Sequence, residues 1–91
     1  MTRGDVQRWL DSRHPAPPQA LRDRLDRAVN ELLPTPGSGL ADYLAQLGSE
    51  LLEKVVARPA GGRELALDLL AADAFATYAF EAQTEEPSHA T

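Results

Sequence analysis

Few side chains in this sequence could do chemistry, and two acids come first. Asp68 and Asp73 interrupt the otherwise apolar run from Leu65 to Ala82, LALDLLAADAFATYAFEA. At about 100° per residue, Asp73 falls between Leu69 and Phe80 on one side and Leu70 on the other. A carboxylate among large apolar side chains must be paired, protonated or set at the mouth of a cleft, since burying it alone is too costly. The expected partner is an arginine of the first or second helix, or a helix end, and plain exposure at an edge is the remaining reading. The functional alternative is a polar handle for a ligand or an acid/base group, although no second catalytic residue accompanies it. Asp68 points about 140° away, so the two acids share no face.

The remaining reactive residue types exclude more than they offer. His14 precedes a proline and His89 lies near the end of the sequence, so neither has the i, i+4 spacing of a helical metal pair. The absence of cysteine removes disulfides, thiolate nucleophiles and cysteine metal sites. No glycine-rich phosphate loop and no G-x-S-x-G motif occurs. The expectation is a protein that is not an enzyme, with no catalytic, metal or cofactor site. Gly48-Ser49-Glu50-Leu51 distantly resembles the Asp-Ser-Leu of acyl carrier proteins. It departs from that pattern in the flanking Gly48 and Glu50 and in placing Ser49 inside a regular helix. Among the aromatics, Trp9, Tyr43, Phe75, Tyr78 and Phe80, most belong in a core. Tyr43 borders the buried stripe of its helix and Tyr78 lies far around its helix from Phe80, so exposure of either beside apolar residues marks a partner surface. The candidate interaction residues are therefore Tyr43, Asp73, Tyr78 and Phe80.

These residues need helices to position them. The 91-residue chain holds fifteen Ala, fourteen Leu, four Val and no Ile, a bias towards helix formers and away from strand formers. Thr2 and Asp5 fit a capping box that opens a short helix to about Ser12, with Val6, Trp9 and Leu10 on one face. The same stretch spells Arg3-Gly4-Asp5, a tripeptide that integrins recognise, but three residues recur by chance and the cap explains them. Pro15, Pro17 and Pro18 break that helix and start a second, from about Pro17 to Leu33. Its buried stripe is Leu21, Leu25, Ala28, Val29 and Leu32, and Asp23–Arg27 and Arg27–Glu31 are expected as i, i+4 pairs. After the Pro34–Gly39 break, residues 40–57 give the most regular pattern. Leu40, Leu44, Leu47, Leu51 and Val55 fall within an arc of about 80°. Gly48 beside that stripe predicts close approach of a neighbouring backbone. The turn at residues 58–62 leads into the long apolar helix, and the tail from residue 84 is polar, with disorder expected.

The expectation is an all-α, small four-helix domain over residues 1–83, one short and three longer helices packed around a central, largely apolar C-terminal helix. Charge narrows its partners. The net charge is −5, distributed as +1 over residues 1–33 and −6 over residues 34–91, with no basic face for a nucleic acid. The apolar runs are too short for membrane insertion, since a span needs about 20 residues, and the start lacks the apolar core of a signal peptide, so a cytoplasmic address is expected. Three short partners leave part of the last helix uncovered. The functional expectation is a non-enzymatic protein-interaction or assembly module acting through that surface, by self-association as a homodimer or by docking another protein. A small-molecule-binding bundle with Asp73 as polar handle is the alternative, and an acyl-carrier-like protein the third reading.

Overall fold

The structure is a computed structural model and describes residues 1–35, 37, 39–57 and 62–85. Four helices make the fold: α1 (Arg3–Asp11), α2 (Gln19–Glu31), α3 (Leu40–Ala57) and α4 (Arg63–Glu85). Several ends have a local cause. At α1 the Asp5 N–H donates to the Thr2 hydroxyl at 3.2 Å, and the Thr2 N–H donates to the Asp5 carboxylate at 2.9 Å. The two hydrogen bonds close the expected capping box, satisfying donors that a helix start leaves orphaned. Pro18 is the residue immediately before α2, where its missing N–H costs nothing. The Tyr43 hydroxyl donates to the Leu32 carbonyl at 2.6 Å, tying the end of α2 to α3.

The core forms where these helices meet. Val6 and Leu10 of α1, Leu25, Ala28 and Val29 of α2, Tyr43, Leu44, Leu47 and Leu51 of α3, and Ala71, Ala72, Phe75 and Ala82 of α4 are buried. Phe75 is the largest fully buried side chain, and a ring of that size contributes about 1.5–3 kcal/mol by burial. The densest packing is between α3 and α4, with α2 next against α4. Gly48 explains the closeness of the first pair. A Cβ there would sit 3.3 Å from the Ala72 carbonyl oxygen and 3.4 Å from the Phe75 Cβ. The two helices run antiparallel, bringing Leu52 beside Leu69 at one end and Asp42 beside Phe80 at the other.

Several details differ from the sequence expectation. Helix α4 begins two residues before Leu65 and continues to Glu85, so Thr84 and Glu85 are helical where a tail was expected. Glu85 is held there by Arg13 and Trp9 of the α1 region. Among the described residues neither Asp23–Arg27 nor Arg27–Glu31 is an ion pair. Arg22 instead pairs with Asp26 at 2.9 Å and Asp11 at 2.7 Å, and Glu31 meets Lys54 at 3.4 Å. The turn at residues 58–61, His89 and the rest of the tail beyond Glu85 lie outside the described residues.

Candidate interaction face

Helix α4 is apolar on more sides than the fold covers. Its core side carries mostly small residues, Ala71, Ala72 and Ala82 around Phe75. The larger residues are displaced outward: Leu69 is 45% exposed, Leu70 57% and Phe80 67%. Helix α3 adds Leu52, half exposed, and Val56 one turn beyond it.

Between the two helices on this side runs an open trough. One part, about 530 Å³, is lined by residues including Ala45, Gly48, Leu52, Leu69, Asp73 and Ala76. A second part, about 400 Å³, continues past Ala45, Ala76 and Ala79 to Asp42, Phe80 and Gln83. The floor is therefore small side chains, with leucines at one end and a phenylalanine at the other. Helical spacing makes the floor and ends one face: residues 41, 45, 48, 52 and 56 on α3, and 65, 69, 72, 76, 80 and 83 on α4.

The four residues singled out in the sequence divide. Phe80 and Asp73 both lie on this trough and are exposed. Tyr78 does not; it is half-buried and meets Trp9 edge to face, with ring centroids 5.8 Å apart. Tyr43 is corrected from interaction residue to core residue, since its ring is buried and its hydroxyl is spent on Leu32. Burial pushes the Tyr43 phenol up to about 12 and also raises that of Tyr78.

The expected salt bridge to a helix-2 arginine exists, but at the other acid. Asp68 is only 3% exposed and accepts from the Arg24 Nε at 2.5 Å; Asp73 faces solvent. Helix α4 is apolar all round, so side-chain type alone does not separate its outward leucines from its core residues. Arg24 carried a readable signal, being three residues after Leu21 and four before Ala28, inside the buried stripe of α2. It lines a small polar cleft with Arg27, Glu31, Lys54, Glu64 and Asp68.

A second polar cluster escaped the sequence reading. The Arg13 guanidinium stacks 3.8 Å over the Trp9 ring and donates to Glu81 at 3.1 Å and Glu85 at 2.6 Å. The Trp9 Nε1 donates to Glu85 at 3.0 Å. Hydrogen bonds from Arg13, and then from Trp9, hold the Glu85 carboxyl below its ordinary value. This cluster clamps α1 to the end of α4 and leaves the trough alone.

Ser49 lines the trough in mid-α3, exposed between Gly48 and Glu50. Among the described residues no group of acids and histidines could hold a metal ion, and no helix is long and apolar enough to cross a membrane. Comparison with known protein families, curated proteins and solved structures finds no match to this chain.

Proposed function

We propose that this protein is a non-enzymatic interaction module that docks a helical partner surface in the α3/α4 trough. One observation carries this reading. The trough is floored by Ala45, Gly48, Ala72, Ala76 and Ala79 and ended by exposed Leu52, Leu69 and Phe80. Small residues let another backbone come close, and large ones at the ends supply anchors, which is the shape a helix in a groove requires. The fold gains little from leaving leucine and phenylalanine in water, whereas a partner gains from burying them.

The rival is a small-molecule site with Asp73 as its polar handle. The trough volume favours it, falling within the ordinary range for ligand sites. Its open length counts against it, because a ligand there keeps much of its surface wet. A carrier role through Ser49 ranks third; no mass gain after treatment with a phosphopantetheinyl transferase ends it.

The deciding experiment places the photo-crosslinking residue benzoylphenylalanine at Ala76 in the full chain. In native cells it should give adducts of polypeptide mass, lost when Leu52→Ser and Leu69→Ser are added. The same probe at Arg27, exposed on α2, should give none. Adducts confined to small-molecule mass would favour the rival, and equal adducts from both positions would overturn the proposal.

A further inference from the structure

Granted that the trough is a docking surface, its charge selects the occupant. The acids stand on both rims. Asp42 and Asp73 line the trough itself, and Glu53, four residues after the trough-lining Ser49, extends the α3 rim by one turn. All three are exposed, and none is ion-paired with a base among the described residues. The other polar lining groups are neutral, Ser49 and Gln83.

No described basic side chain lines this face. Lys54 turns to Glu31 of α2. Arg13, Arg22 and Arg24 are occupied by acids within the fold. Arg63 lies about 120° around α4 from Leu69. The trough is thus an apolar floor between two acidic rims.

We propose that its occupant is a basic amphipathic helix of a partner protein, with an apolar stripe for the floor and lysines or arginines for the rims. A second copy of this chain suits the trough poorly. Docking the same face on itself brings three carboxylates from each copy into one interface with no base to answer them, in a chain of net charge −5. The contact from Asp42 to Leu52 spans about 15 Å, so roughly three turns of the partner helix are engaged.

Two synthetic helical peptides test this. They share one leucine stripe at i, i+3, i+4 and i+7 and differ only in flanking charge, lysine in one and glutamate in the other. Fluorescence anisotropy with the full chain should show the lysine peptide binding at least about tenfold more tightly, weakening as salt is raised. Asp42→Lys, Glu53→Lys and Asp73→Lys together should reverse the ranking. Leu52→Ser with Leu69→Ser should weaken the lysine peptide, and if it does not, attraction to the acidic surface alone explains the binding and the proposal fails. Equal binding of both peptides overturns the basic partner and leaves the docking face standing. Binding of neither peptide, with sedimentation showing a dimer dissolved by the two serine changes, replaces the partner by a second copy. Binding of neither by a monomeric protein overturns both readings.

Discussion

Asp68 and Asp73 are the same residue type five positions apart on one helix, yet the fold assigns them opposite duties. Asp68 is buried against Arg24, and removing one member of a buried pair leaves the other charged and unanswered. Asp68→Ala should lower stability by about 3–5 kcal/mol, a large share of what a domain this size has, whereas Asp73→Ala should stay within about 0.5 kcal/mol. Urea unfolding of the two variants side by side checks both. Tyr43 makes a second residue-scale prediction. Its phenol is raised from an ordinary 10.0 to about 12 by burial. The folded chain therefore holds that proton more tightly than the unfolded one, so the associated stability is whole below pH 10 and declines as pH rises towards 12. Tyr43→Phe should remove that alkaline loss, and it leaves the Leu32 carbonyl without its donor at a cost of about 1–3 kcal/mol. At this scale the sequence was readable where side-chain type restricts geometry, as at Thr2 and Asp5; the burial of Arg24 was readable from its stripe, but its partner Asp68, 44 positions away, was not.

The helices themselves were legible because periodicity, proline and capping act locally. Helix α3 has the bounds that its leucine spacing predicts, residues 40–57, and the stripe of α2 supplies the buried Leu25, Ala28 and Val29. Helix α4 was legible as a helix but not in its orientation, since alanines surround Phe75 on its core side while Leu69, Leu70 and Phe80 stand outside. The Gly48 contact is what makes that inversion workable. Gly48→Leu should cost about 1–3 kcal/mol or more by forcing α3 and α4 apart, read as a lowered melting temperature. A Cβ already stands 3.3 Å from the Ala72 carbonyl, so the rest of a leucine has nowhere to go. The joint between α1 and α4 behaves differently, because it depends on charge. The Glu85 carboxyl is held below its ordinary 4.5 by Arg13 and Trp9, so its contribution is present above that value and is lost as pH falls through the lowered one. Trp9 fluorescence should report loosening of α1 in acid, and Glu85→Gln should flatten that transition.

For the whole molecule, the all-α domain and the incomplete cover of its last helix both follow from adding up stripes. Helices 1 to 3 each bring one apolar side, while α4 has apolar residues all round. What addition does not reveal is where the surplus emerges, which depends on the side α3 takes. That side is fixed by Gly48 and the alanines, leaving Leu52, Leu69 and Phe80 in water beside a small-residue floor. The exposed residues are dispensable to the fold on this account, so Leu52→Ser with Leu69→Ser should change the urea midpoint far less than Asp68→Ala does. The most direct test of the central claim is the yield of polypeptide crosslinks from position 76 in native cells. Adducts should form there and should vanish when Leu52 and Leu69 become serine in a chain that is still folded. Adducts that persist undiminished in that folded variant, or that never form, would contradict it.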